Sequence, residues 1–387
     1  MQPTPIRVFV QLAYGFGGRS WEQRWHQGAI IGLNERLPYG YYLAQADGCD
    51  VIYSDDHAEN LLQRLCRFGV RAILGFDALH AWRNRKEMLK ADVVWTHTES
   101  QHLAVCLILL LYNRRRSPKL IAQSVWLFDR WPRLFLIRRW LYSALLSRAD
   151  LLTVLSPDNL AVARERFPEK RSELVLFGIR TDLRRPLRRQ HVSRPVRVLS
   201  IGNDRHRDWD TLIAAVDGWN ECEVRIASQS LNALKLSSSR NITRVIPKTN
   251  DELEQLYDWA DLVVVPLRPN LHASGITVMQ EAALFGVPII VTDTGGLRAY
   301  FGNSQVRYIP TGNAQALKQA IADLASDAQL RKNLAEAAQA HMGEGGLSSR
   351  AYARTHAELS KSLVTSANDE IVQLEDSGSV AVGSPTP

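Results

Sequence analysis

The stretch Ser274–Asp293 (SGITVMQEAALFGVPIIVTD) concentrates the chemistry of this chain. Ser274 and Gly275 open a predicted helix, Ile276 and Thr277 begin its first turn, and Glu281 lies seven residues after Ser274. N–H groups at a helix start have no partner within the helix, and the positive end of the dipole points the same way. The segment therefore suits a diphosphate. Gly275 lets backbone approach phosphate closely. Glu281, two turns further on, is placed to accept hydrogen bonds from ribose hydroxyls. The plainer reading is an amphipathic helix with a solvent-facing glutamate.

Three further groups belong with it. The loop Gly202–Asp210 (GNDRHRDWD) follows a predicted strand and offers Arg205 and Arg207, side chains that pair bidentately with phosphate oxygens; an ordinary solvated loop is the alternative. A base that deprotonates an attacking hydroxyl is expected in the first half of the chain. Asp129, in Gln123–Arg130 (QSVWLFDR), is the first candidate and His97, after Val93–Thr96, the second, with His272 a third group near the same place. Gly15–Gly18 (GFGG) after the first strand reads two ways. Gly17 and Gly18 line either the floor of a phosphate site or a tight turn. Ser20 stands where a dinucleotide fingerprint needs a third glycine.

These residues need two α/β units to position them. Short β-branched runs at Ile6–Leu12, Asp50–Tyr53, Ala72–Leu74, Val93–Thr96, Lys119–Ser124 and Leu151–Leu155 read as strands, with a helix over Trp21–Leu33. The polar, basic segment 186–194 reads as a linker. The alternation then restarts with strands at Val196–Ile201, Glu223–Ala227, Thr243–Ile246, Leu262–Pro266 and Pro288–Thr292 and helices between and after them. The pattern predicts an α/β protein of two doubly wound, Rossmann-like domains, 1–185 and 195–345, with an interdomain cleft. A helix over 346–364 is expected to pack back on the first domain, and 365–387 to be a disordered tail.

With 387 residues and 45% hydrophobic content, the chain has enough material for both cores. Net charge is +7. Arginine concentrates in the first half beside apolar and Trp residues, with no zinc-ligand spacing or RNA-binding aromatic signature, which argues against nucleic acid. The four cysteines form no CxxC pair and fit reduced thiols. No apolar run reaches the about 20 residues of a membrane span. Instead Arg130–Arg148 places Trp131, Arg138, Arg139 and Trp140 at helical spacing with leucines, and Leu103–Tyr112 leads into Arg115 and Arg116. Trp and Arg beside an apolar face suit the headgroup layer of an anionic membrane surface, and core-packed helices with a solvated basic face are the alternative. The expected location is cytoplasmic, peripheral on the inner face of the cell membrane.

Glu281–Pro288 (EAALFGVP) resembles the second half of the motif of retaining GT-B glycosyltransferases, in which Glu-x7-Glu is followed by Ala and a Gly-x-Pro turn. Leu262–Pro266, Gly295-Gly296, the Gly202–Ala215 stretch, Leu151–Pro157 and Leu176–Asp182 resemble other landmarks of that family in the same order. The family's first acid falls at Ala273. The resemblance implies the GT-B fold and a donor site in which Glu281 holds the ribose and Arg205 and Arg207 hold the diphosphate. It implies transfer of a sugar from a UDP- or GDP-sugar to a glycan or lipid-linked acceptor, in surface polysaccharide or lipopolysaccharide synthesis. Arginines and a helix start neutralise the diphosphate there, so neither metal nor other cofactor is implied. Ala273 leaves two alternatives: an inactive GT-B partner subunit, or an epimerase or phosphorylase of the same fold.

Overall fold

The computed structural model describes residues 4–114, 117–187, 192–232, 239–344 and 346–379. Two six-stranded parallel sheets form its frame. In the first, β1 (Ile6–Gln11), β2 (Cys49–Tyr53), β3 (Val93–Thr96), β4 (Lys119–Ser124), β5 (Leu151–Val154) and β6 (Ser172–Leu174) lie in the order β2-β1-β3-β4-β5-β6. In the second, β7 (Val196–Ile201), β8 (Cys222–Ala227), β9 (Ile242–Val245), β10 (Leu262–Val265), β11 (Ile289–Thr292) and β12 (Arg307–Ile309) lie in the order β12-β11-β10-β7-β8-β9. In both sheets the order reverses beside the first strand, so each has a switch point where α/β folds bind ligands. β10 is apolar along its whole length because helices cover both faces, and Leu262–Val265 is completely buried.

The first domain's helices are α1 (Gly18–His26), α2 (Leu61–Leu74), α3 (Ala78–Met88), α4 (Glu99–Leu109), α5 (Leu127–Arg130), α6 (Leu136–Leu146) and α7 (Pro157–Arg166). The second has α8 (Trp209–Val216), α9 (Asn250–Trp259), α10 (Ile276–Leu284), α11 (Ala314–Ser326) and α12 (Ala328–Glu344), and α13 (Ser349–Ser379) closes the chain. The start of α13 returns to the first domain, as expected. Tyr352 Oη donates to Gln123 Oε1 at 2.6 Å, and Trp95 Nε1 donates to Ser360 Oγ at 2.8 Å.

Four local expectations are corrected. Ala72–Leu74 is the last turn of α2, not a strand: Asn60 and Gln63 form a capping box at one end and Gly75 ends the helix with φ +87° at the other. The helix expected to reach Leu33 stops at His26, and Ile30–Asn34 becomes a loop facing the second domain. α13 runs to Ser379 rather than 364, because no Pro or Gly interrupts it before Gly378. Residues 380–387 and linker residues 188–191 lie outside the described residues. Finally, most of the run Leu103–Tyr112 packs into the first core as α4, while Leu110, Leu111 and Tyr112 after the helix are exposed.

Candidate active site

The second domain builds its site on the loop after β7 and the start of α10. Gly202 has φ +150° and Gly275 φ +88°, and a Cβ on either would strike the Arg207 guanidinium. The two glycines thus make a slot for that side chain. Arg207 is buried, donates from Nε to Ile201 O at 3.0 Å, and approaches Ser274 Oγ at 3.4 Å. Among the described residues it forms no ion pair with a carboxylate. Burial pushes its pKa down to about 10 against the pull of Asp204, which leaves a desolvated cation short of an anion.

Arg207 lines a cavity of about 430 Å³ with Gly202, Asp204, Gly275, Thr277 and Glu281, and Ile31 and Gly32 of the first domain complete the wall. Gly275 caps α10 without a side chain, so the helix start opens into this space with Thr277 exposed. Ile276 is corrected: its side chain belongs to the core and its N–H is taken by Ala273 O. Glu281 is not solvent-facing. Its Oε1 accepts from Leu33 N at 3.0 Å and its Oε2 from Tyr257 Oη at 2.8 Å. Burial raises its pKa, with those two donors opposing. Arg205 is exposed and does not line the cavity, so Arg207 alone of the expected pair occupies the site.

Asp129 and His272 come together from opposite domains. His272 Nδ1 lies 2.9 Å from Asp129 Oδ2, and Nε2 lies 2.9 Å from Asp204 Oδ2. Leu271 N donates to Asp129 Oδ1, and Ser274 Oγ donates to Asp204 Oδ2. Burial opposes charge on His272, but the two carboxylates more than offset it and raise its pKa. Burial likewise opposes charge on the partners, yet the His272 hydrogen bonds hold Asp129 and Asp204 below the usual carboxylate range. The group is a buried imidazolium clamped between two carboxylates across the cleft. Asp204, His206 and His272 also place ligand atoms within 4.8 Å of one another, a donor set a divalent cation accepts. For His272 to ligate, one ring nitrogen would first have to leave its carboxylate.

His97 lies elsewhere, in a cavity of about 260 Å³ in the first domain that Glu99, His80, Trp126 and Arg130 also line. Gln123 Nε2 donates to His97 O at 2.9 Å and points at His97 Nδ1 at 3.2 Å, while Gln123 Oε1 accepts from Tyr352. Tyr41 Oη also lies 3.1 Å from Nδ1, so that nitrogen sits between two polar partners. Burial pushes the His97 pKa down to about 3, and the ring stacks on Tyr39 at 3.5 Å. His97 does not line the cavity that holds Arg207 and Glu281. Gly17 and Gly18 are corrected too. They pack against Ser54 and Tyr53, and the N–H groups of Gly15 and Gly17 are taken by the Asp56 carboxylate where a phosphate would have to sit.

Of the expected membrane residues, Trp131 is buried in the first core, and Arg139 spends its guanidinium on Leu134 O and Pro132 O. Trp140 is exposed and Arg138 reaches back to Ala72 O. Arg115 and Arg116 lie outside the described residues. Sequence reasoning missed Leu33, Asn250 and Tyr257 around Glu281, and His80, whose ring nitrogens are buried without partners. Only the fold brings these together, so no local signal marks them.

Residues 227–341 match the family described as Glycosyl transferases group 1. No curated protein matches the sequence. Among solved structures, sucrose-phosphate synthase from Thermosynechococcus elongatus is 15% identical with a TM-score of 0.68, over 93% of this chain and 100% of that one. Anabaena Alr3699/HepE, solved in complex with UDP and glucose, is 15% identical with a TM-score of 0.63, over 92% and 99%. A glycosyltransferase from Rickettsia africae is 14% identical with a TM-score of 0.59, over 93% and 99%. The fold is thus GT-B through both domains, and the similarity to group 1 glycosyl transferases lies within the C-terminal domain.

Proposed function

We propose that the protein transfers a sugar from a nucleotide-sugar donor to a glycan or lipid-linked acceptor, in surface polysaccharide or lipopolysaccharide synthesis. The observation that carries this is Arg207, held between Gly202 and Gly275 at the open start of α10, with Glu281 at the other end of the same cavity. A buried cation that forms no ion pair with a carboxylate among the described residues, at an open helix start, suits a diphosphate. Glu281 suits the ribose, reached when Leu33 N gives up its hydrogen bond. A UDP-sugar is the donor to try first, because the similar HepE structures hold UDP and UDP-glucose. Asp129 is the first-domain carboxylate that meets His272 across the cleft, and it acts on the acceptor proton once His272 releases it. The acceptor enters through the 260 Å³ cavity beside Glu99 and His80, and the enzyme works from the membrane surface without a metal.

Ala273, where the resembling family has an acid, favours a second reading as an inactive partner subunit. Calorimetry with UDP, followed by transfer and hydrolysis assays with a panel of UDP- and GDP-sugars, separates the two. UDP binding with turnover supports the transferase, binding without turnover the inactive subunit, and no nucleotide binding refutes both.

A further inference from the structure

α2 is built inside out. Arg64, Arg67 and Arg71 recur three and four residues apart on one side, and Leu61, Leu65 and Phe68 do so on the other, with Leu62, Cys66 and Ile73 beside them. An amphipathic helix on a globular domain ordinarily turns its apolar side inward. Here Arg67 is the buried residue, paired with Glu59 and Asp77. Leu61, Leu62, Leu65, Phe68 and Ile73 are between 44% and 76% exposed. Arg138 donates to Ala72 O and Ile73 O, and Tyr142 to Leu74 O, which ties α6 to the last turn of α2. The start of α6 adds Phe135, Leu136, Ile137 and Trp140, each at least 72% exposed. Apolar exposure on this scale, on adjoining elements, marks a docking face rather than scattered surface.

We propose that the outward face of α2, with the start of α6, docks into the headgroup layer of an anionic phospholipid bilayer. Charge identifies the occupant. Neither helix carries an acidic residue, while Arg64, Arg71, Arg138 and Arg139 flank the apolar side chains. A two-fold pairing of this face with a second copy would bring like-charged flanks together. The face also continues into the site: Arg71 of α2 lines the 260 Å³ cavity with Arg130. An acceptor whose lipid tail lies in the bilayer would thus meet the cavity from the docked side. This last step rests on the reading of the protein as a transferase to a lipid-linked acceptor; the docking itself does not.

Cys66 provides the test, because it is the exposed cysteine of this face and the other three are buried. An environment-sensitive thiol fluorophore is attached to Cys66 of the full chain, and phosphatidylglycerol–phosphatidylcholine vesicles are added at low salt. The label is expected to shift to the blue and become shielded from an aqueous quencher, with little effect from phosphatidylcholine alone. Replacing Leu65 and Phe68 together by Ser is expected to weaken vesicle partitioning by about tenfold or more. Both side chains are exposed, so the unfolding midpoint should hold and confirm a folded variant. A label that stays wet while the protein binds vesicles, or no binding at all, overturns the proposal. So does a blue shift that grows with protein concentration in the absence of lipid, which would mean self-association. UDP titration of the same preparations reads the donor site separately: docking without UDP binding leaves α2 as proposed and removes the transferase reading, and the converse result does the reverse.

Discussion

Replacing His272 by Ala removes the cation that joins the two domains. His272 is 3% exposed at its side chain, Asp129 7% and Asp204 25%. Breaking a buried pair by deleting one partner costs about 3–5 kcal/mol. Asp204 is partly solvated and keeps bonds from Ser274 Oγ and His206 N, so the figure is reduced to about 2–3 kcal/mol here. For domains of this size that lowers the unfolding midpoint by about 4–12 °C. The pH dependence is the sharper readout. The folded pKa of His272 is raised, so its contribution is complete below its unfolded value of about 6.5 and is lost as pH rises through the folded value. Asp129 and Asp204 are lowered, so theirs is complete above about 3.9 and is lost only as pH falls through their depressed values. Wild-type protein should therefore lose stability as pH rises above about 6.5 and through the raised folded value, and His272→Ala should lack that step. His206, whose ring lies 4.8 Å from that of His272, has a lowered pKa and titrates on the acid side of this step. Differential scanning calorimetry of both proteins across this range measures it. Equal midpoints at about pH 6 with superimposable pH profiles would refute the interdomain bridge.

Arg207→Ala should weaken UDP binding by about tenfold to a hundredfold, the loss expected of charge-assisted bonds, and leave uridine binding much less changed; titration calorimetry with both ligands checks it, and equal losses would point to misfolding. Glu281→Ala should weaken UDP binding and also lower folding stability by about 1–3 kcal/mol, because Leu33 N and Tyr257 Oη lose their buried acceptor; an unchanged denaturant midpoint contradicts the geometry. Asp129→Asn should reduce turnover by much more than it weakens donor affinity, and shift the alkaline stability step to lower pH, since His272 keeps one carboxylate of two; steady-state kinetics and thermal melts read the two effects. Chelator should leave transfer unaffected, and activity lost to chelator and restored by a divalent ion would refute the metal-independent reading, with Asp204, His206 and His272 the donor set to mutate next.

The fold was legible wherever burial on both faces writes itself as an unbroken apolar run, as in Leu262–Val265 and Ile289–Val291. The donor half of the site was legible because its parts are local: Gly202 and Arg207 sit on one loop, and Gly275, Thr277 and Glu281 on one helix. α2 was misread from Ala72–Leu74 although Asn60 and Gln63 spell a capping signal, because its apolar face looks outward and does not pack. Trp131 was placed at a membrane because an aromatic among arginines reads alike in a core and at an interface; only its contact with Phe167 separates the two. The cleft itself was illegible. Asp129 and His272 are 143 residues apart, and Leu33 and Glu281 are 248 apart, so both pairings are products of domain docking.

The position where the resembling family carries an acid shows how this chain rearranged that corner. Ala273 is buried at φ +55°, a left-handed conformation that an L-residue holds only under constraint. The constraint is visible: Ala273 N donates to Gly295 O and Ser274 N to Asn270 Oδ1, which pin the turn on both sides. The turn aims His272, one residue earlier, across the cleft, so the polar group at this corner is a cation where the family places an anion. A diphosphate seated at Arg207 would add negative charge beside Asp204, and nearby negative charge strengthens the hold of His272 on its proton. Donor binding and the charged bridge to Asp129 therefore favour one another. The same reasoning makes the bridge weakest when the donor site is empty, the state in which the cleft has to open for a nucleotide to enter.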